Sequence, residues 1–227
     1  MYDLYIANKN YSSWSLRPWV LMRELKIGFR EHPLFFGEES SWQSFREISP
    51  TGNVPCLLDG DSVVWDSLAI AEYLAERHPG VWPADAGARA WARSAAAEMH
   101  SGFGELRNHC SMTCGQRIRL NEFPAALRRE VARLGALWND GLRRFGGPFL
   151  AGATFTAADA FYAPVTFRVQ SYGITLDPAS AAYADRVLNT SAMREWYADA
   201  LKETQRDESH EADALRVGKV LQDLRAI

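Results

Sequence analysis

Two adjacent serines, Ser12 and Ser13, sit in the run Asn10-Tyr11-Ser12-Ser13-Trp14-Ser15-Leu16-Arg17-Pro18. Proline is accepted in the first turn of a helix, where its missing N–H has no intrahelical partner. A helix therefore starts within Ser13 to Arg17, with the serines at its N-terminal end. A serine there has two uses. Its oxygen can cap the helix by accepting from a backbone N–H of the first turn, or its hydroxyl can donate to an anion held at the helix's positive end.

Three more segments carry chemistry-bearing types. In Ser49-Pro50-Thr51-Gly52-Asn53-Val54-Pro55-Cys56-Leu57, a proline stands at the start of an apolar strand. It must lie at an edge, in a turn or after a cis bond, and a cis Val54–Pro55 bond would turn the Val54 backbone N–H and C=O toward a ligand. In Trp65-Asp66-Ser67-Leu68-Ala69-Ile70 a strand passes into a helix. Asp66 and Ser67 there offer a carboxylate, a hydroxyl and backbone N–H groups, which suit the paired charges of an amino-acid backbone; they also fit a plain helix cap. Thr156 and Asp159 in Gly152-Ala153-Thr154-Phe155-Thr156-Ala157-Ala158-Asp159 have capping-box spacing, a structural signal. His100, His109, Cys110 and Cys114 invite a metal, but the two cysteines have no convincing second ligand pair, so no metal is expected.

The elements that position these groups follow from periodicity. Strands are predicted at Tyr2–Ala7, His32–Phe36, Val54–Leu58 and Ser62–Trp65, the last two flanking the hairpin signal Asp59-Gly60-Asp61. Helices are predicted over Leu16–Lys26, Trp42–Ile48 and Ser67–Arg77, giving the order β-α-β-α-β-β-α. The aperiodic, Pro- and Gly-rich stretch HPGVWPADAG reads as a linker. Beyond it the pattern is helical. One long helix carries Ala88, Trp91, Ala95, Met99, Phe103 and Leu106, and another carries Leu127, Val131, Leu134, Trp138 and Leu142. A third runs from Ala157 to Gln170, kinked at Pro164, and shorter ones cover 179–187 and 191–203. Glu203 to Asp213 reads as a loop or frayed helix, and Val217, Val220, Leu221, Leu224 and Ile227 as a docked terminal helix. The arginines between Arg117 and Arg144 read as solvated helix faces.

Composition narrows the function. The apolar fraction is 47% and the formal charge −3, which gives none of the positive field that nucleic acid binding needs. Three cysteines form no disulfide framework and fit a reducing compartment. The opening MYDLYIA lacks a charged region followed by a long apolar stretch, so no signal peptide is expected, and no segment approaches about eighteen uninterrupted apolar residues. A cytoplasmic protein that engages no membrane is expected.

Taken in order, the SSWSLRPW, GNVPCL, DSLAIAEYL and GATFTAAD runs resemble the glutathione transferase superfamily over essentially the whole chain. The match is closest to serine-type members of the zeta, maleylacetoacetate isomerase-like, group and related bacterial proteins. The resemblance implies an α/β N-terminal thioredoxin-like domain at 1–78, a linker at 79–87 and an all-α C-terminal helical bundle at 88–227. It implies glutathione as co-substrate, with Ser12 as the candidate catalytic hydroxyl and Ser13 exchanged for it if the alignment shifts by one. Val54 and a cis Pro55 would hold the cysteinyl backbone, and Asp66 and Ser67 the γ-glutamyl group. Trp42 and Gln43 fall where some members contact the glycyl end. Met99, His100, Phe103 and Arg107 have the helical spacing to line a second-substrate cleft or simply to pack. Trp14 replaces the cysteine usual in zeta enzymes, which weakens the case for isomerase and thiol-dependent chemistry. A homodimer and a small electrophilic substrate are implied as partners. The alternatives are a non-catalytic interaction protein on this scaffold and a thiol-disulfide oxidoreductase; the second wants a cysteine at the first helix, where none falls.

Overall fold

The computed structural model describes residues 1–36 and 41–226, the side chains of residues 41–44 excepted. Four strands form one mixed sheet in the order β2-β1-β3-β4. Strand β1 (Tyr2–Ile6) pairs in parallel with β2 (Phe29–Pro33) and antiparallel with β3 (Cys56–Asp59), which pairs antiparallel with β4 (Ser62–Trp65). The helices α1 (Ser13–Glu24), α2 (Ser41–Ile48) and α3 (Ser67–Ala75) alternate with these strands, completing the expected β-α-β-α-β-β-α order. Leu4 and Ile6 from β1, Leu57 from β3, Leu16 and Val20 from α1, and Ile70 and Leu74 from α3 make a fully buried core. Each aliphatic side chain so buried contributes about 1.5–3 kcal/mol, so the seam that fixes the start of α1 is firmly held.

The helical part consists of α4 (Ala86–Ser101), α5 (Gly104–His109), α6 (Ala125–Phe145), α7 (Ala157–Tyr172), α8 (Pro178–Leu188), α9 (Ser191–Lys202) and α10 (Glu208–Val217). Helix α7 is buried along nearly its whole length and packs against both α1 and α4, so it joins the two halves. Its N-terminus has the expected capping box between Thr156 and Asp159. The buried Asp159 carboxylate also accepts from Leu150 N at 2.9 Å and from Tyr183 Oη at 3.0 Å, tying α7 to α8.

Three sequence expectations need correction. Strand β2 covers Phe29–Pro33 rather than His32–Phe36, because its register with β1 closes at Ile6 opposite Pro33. The aromatic end of that run leaves the sheet, where Asn8 Oδ1 accepts from Phe36 N at 2.7 Å. The long helix through Leu106 is two helices. The chain turns at Gly102, where a Cβ would meet Glu98 O at 2.8 Å, and at Phe103, whose φ is +57°. Arg107 from α5 donates back to the Met99 and Gly102 carbonyls, satisfying acceptors that the end of α4 leaves open.

The last correction concerns the C-terminal segment. Glu208–Val217 is an ordered helix capped by Asp207, and Gly218–Asp223 is a strand, β6, in place of the terminal helix expected around Val220, Leu221 and Leu224. It pairs antiparallel with β5 (Gln116–Leu120), which the sequence reading took as the edge of a helical face. Ile227, the last apolar position of the expected helix, lies outside the described residues.

Candidate active site

The loop from β1 to α1 delivers both serines, buried to 5% exposure at Ser12 and 6% at Ser13. Their hydroxyls are used differently. Ser12 is the N-cap of α1: its oxygen accepts from Ser15 N at 3.3 Å, and its proton goes to Ser15 Oγ at 2.7 Å. Ser13, one residue on, accepts from Arg168 Nη2 at 3.4 Å, and among the described residues no acceptor takes its proton.

Ser12, Ser13, Trp14, Asn53, Val54, Arg107, Arg168 and His210 line a cavity of about 330 Å³. A second cavity of about 450 Å³ adjoins it and is lined by Trp14, Thr51, Asn53, Val54, Pro55, Trp65, Asp66 and Ser67. Trp14, Asn53 and Val54 border both. The Val54–Pro55 bond is cis, as expected, and sets the Val54 backbone at the junction of the two spaces. A larger groove of about 780 Å³ lies between β5, α6 and the α7–α8 turn, away from the serines.

Asp66 caps α3, its Oδ1 accepting from Leu68 N at 2.7 Å and Ala69 N at 3.3 Å. Its φ of +75° is uncommon for a side-chain-bearing residue, and such backbone outliers collect at ligand sites. Ser67, almost fully buried beside it, accepts from Arg17 Nη1 at 3.3 Å.

Three arginines gather around the site. Arg17 and Arg107 flank the Trp14 ring, with guanidinium carbons 4.1 and 4.8 Å from its centroid. Burial, with help from neighbouring guanidinium charge, pushes Arg168 down to about 10 and Arg17 well below its ordinary value. Burial also lowers Arg107. Arginine keeps its proton in proteins, so these shifts register positive charge withdrawn from water, offset in part by Asp66 near Arg17 and Glu130 near Arg107. His100 Nε2 approaches Asp66 Oδ2 at 3.5 Å, and burial holds its ring below the usual histidine range, so it is neutral near pH 7.

The comparisons with known proteins converge on one family. Residues 11–77 match the model "Glutathione S-transferase, N-terminal domain" and residues 89–199 the model "Glutathione S-transferase, C-terminal domain". The chain belongs to the glutathione S-transferase family. It is 29% identical over 164 residues to a zeta-class glutathione S-transferase of Euphorbia esula, covering 71% of this chain and 72% of that one. It is 28% identical over 183 residues to a probable maleylacetoacetate isomerase of Caenorhabditis elegans, covering 77% and 82%. A solved glutathione transferase homologue from Burkholderia, with bound glutathione, superposes at a TM-score of 0.65 with 23% identity, over 88% of this chain and 97% of that one.

Within this glutathione S-transferase, the sequence-predicted residues divide by location. Ser12, Ser13, Val54, Pro55, Asp66 and Ser67 all fall on the two adjoining cavities. Of the four helix residues, Arg107 reaches the smaller cavity. Met99 and Phe103 are buried along a closed seam with Arg17 and Pro164 that has no room for a water molecule, and His100 faces Trp14 and Asp66. The side chains of Trp42 and Gln43 lie outside the described residues.

Sequence reasoning passed over Arg168, Arg17, Asn53 and His210. For Arg168 a signal existed: it is a lone charge inside the apolar run AFYAPVTFRV. His210 comes from the segment read as loop. Its ring stacks on Tyr11 at 5.0 Å and on Phe36 at 5.3 Å, which closes that side of the cavity. Burial pushes Cys56 up to about 11 and Cys110 up to about 12, and raises Cys114 as well, so none of these thiols is a ready nucleophile. Among the described residues no group of three or more His, Cys, Asp or Glu stands together as a metal site. Among the described residues no helix is long and apolar enough to cross a membrane.

Proposed function

We propose that the protein is a glutathione transferase in which the Ser13 hydroxyl holds the glutathione sulfur as a thiolate. The observation that carries this reading is the Ser13 hydroxyl on the cavity at the start of α1, its proton without an acceptor among the described residues. The tripeptide would lie along the larger cavity. Its γ-glutamyl end would meet Asp66, Ser67 and the N-terminus of α3, and its cysteinyl backbone the Val54 N–H and C=O. Helix N-termini favour anions, and so does the Arg17 charge beside Ser67.

A free thiol with a pKa near 8.5 is only a few per cent ionised at neutral pH. Lowering that pKa by about two units needs a differential interaction of ~2.7 kcal/mol. One charge-assisted hydrogen bond contributes about 1.5–3 kcal/mol, and the helix adds a further fraction. The thiol proton leaves to solvent. The thiolate then attacks an electrophilic carbon: a carbon–sulfur bond forms as the leaving group departs with its electron pair, or the adduct reverses after isomerisation. The smaller cavity, between Trp14 and His210, is where the electrophile would enter.

Retention on immobilised glutathione, followed by a conjugation assay with an activated aryl halide, tests the reading. Retention that survives in S13A, with turnover that falls roughly 100-fold in that variant, supports it. Retention with no turnover over a range of electrophiles favours a non-catalytic interaction protein instead. Assembly as a homodimer belongs to the same proposal. Val63 and Trp65 on the edge strand β4 are 41% and 42% exposed beside Leu68 and Ala69, an apolar face that a second copy would cover. Sedimentation of V63E measures this.

A further inference from the structure

We propose that Arg168 is a positioning residue for the thiolate, acting through Ser13: it occupies the Ser13 oxygen and so directs the only Ser13 hydroxyl proton at the sulfur. The inference rests on the serine reading above and adds to it a residue on a different domain, nineteen-twentieths buried at 5% exposure.

The geometry is specific. Arg168 sits in the second half of α7, and its guanidinium reaches across the domain seam to Ser13 Oγ at 3.4 Å. Its Nε is buried with no partner. Among the described residues no carboxylate pairs with it. The groups acting on it are Arg107 on α5, Arg17 on α1, Tyr172 on its own helix, and Cys110 and Cys114 beyond α5, while Asp213 and His210 of α10 line the same cavity. Burial raises Tyr172, Cys110 and Cys114, with the first two near 12, so these three are neutral at pH 7. A buried, unpaired guanidinium is costly, and it persists where its charge has a use.

Two consequences follow from that contact. A hydroxyl has one proton and two lone pairs. With Arg168 donating into a lone pair of Ser13, the hydroxyl is biased to act as donor toward the cavity that both side chains line. Donation into the oxygen also polarises the O–H bond, which strengthens the hydrogen bond it gives. A serine left to rotate freely would lose part of its donor strength to other orientations.

The test is an ultraviolet pH titration of the thiolate of glutathione bound to the full-length protein, in wild type, R168M, R168K and S13A. The expected result for R168M is a bound-thiol pKa about one unit higher, a roughly tenfold smaller thiolate-to-thiol ratio. R168K, which keeps a cationic donor, should restore most of the difference. The S13A/R168M double variant should match S13A, because Arg168 works through that hydroxyl. A depressed pKa in wild type that R168M leaves unchanged overturns this proposal alone, and an additive double variant does the same. If R168M does not fold, R168K decides: a folded R168K with the thiol pKa of S13A means the lysine cannot rescue, and the cationic-donor role is wrong. An ordinary thiol pKa in wild type instead removes the serine reading itself.

Discussion

Ser12 Oγ donates its proton to Ser15 Oγ at 2.7 Å, and Ser15 Oγ in turn accepts from Ala7 N at 3.1 Å. The hydroxyl of the first serine is thereby built into the joint between β1 and α1, and that of the second, on the same cavity, has no acceptor for its proton among the described residues. S12A should cost about 1 kcal/mol of stability through loss of the cap, as chemical denaturation would show, while glutathione thiolate still forms. S13A removes the acceptor of a buried guanidinium, so it should cost about 1–3 kcal/mol in chemical denaturation and also cut kcat/KM near neutral pH roughly 100-fold. Loss of turnover in S12A with S13A still active would exchange the two roles.

Glutathione affinity should respond to Ser67 more than turnover does. Its hydroxyl stands beside Arg17 on the cavity of about 450 Å³, whose lining does not include Ser12 or Ser13. S67A is expected to raise the glutathione Kd about tenfold, ~1.4 kcal/mol, with kcat at saturating glutathione nearly unchanged. Calorimetry and steady-state kinetics on the same sample check both halves.

Much of this arrangement was legible in the chain. Pro18 located the start of α1, Pro55 the binding loop, and Asp66-Ser67 the start of α3, because each depends on local backbone chemistry. What was not legible depends on partners distant in sequence. The break between α4 and α5 is stabilised by Arg107 reaching back to Met99 and Gly102, so a continuous apolar period ran through it unmarked. Strands β5 and β6 are separated by the whole of α6 to α10. Val217, Val220, Leu221 and Leu224 satisfy a helical period as well as they satisfy a short strand. Ser12 and Ser13 could not be told apart from sequence, since Ser15 and Arg168, which divide their roles, differ only in three dimensions.

The C-terminal segment is clamped by charge. Arg225 bonds Asp223 and Glu211, and Tyr11 Oη accepts from Arg225 Nη1 at 2.8 Å, which links the last residues to the serine loop. The Arg225 guanidinium lowers Asp223 from its ordinary 3.8 to about 2 and also draws Glu211 down. A depressed carboxylate contributes stability that is complete above its unfolded pKa and disappears as pH falls through the folded one. The stability difference between wild type and D223N should therefore be constant above pH 4 and shrink steadily toward pH 2. Urea titrations at stepped pH measure it, and a difference that grows on acidification would show the sign to be wrong.

Asp159 should be the most sensitive structural position. Its carboxylate accepts from Leu150 N, Thr156 N and Tyr183 Oη with no exposure to solvent. D159A strands those donors, at about 1–3 kcal/mol each for a buried unsatisfied group. A loss of at least ~3 kcal/mol in equilibrium unfolding is expected, with glutathione still bound at temperatures where the fold survives.

A crystal structure of the glutathione complex, with the sulfur located against both serines, bears on all of this at once. The sulfur should lie within hydrogen-bonding reach of Ser13 Oγ, with Ser12 still bonded to Ser15 and the cysteinyl backbone paired to Val54. A sulfur nearest Ser12, or one turned away from the start of α1 altogether, would show that the Ser13 hydroxyl is not what holds the thiolate.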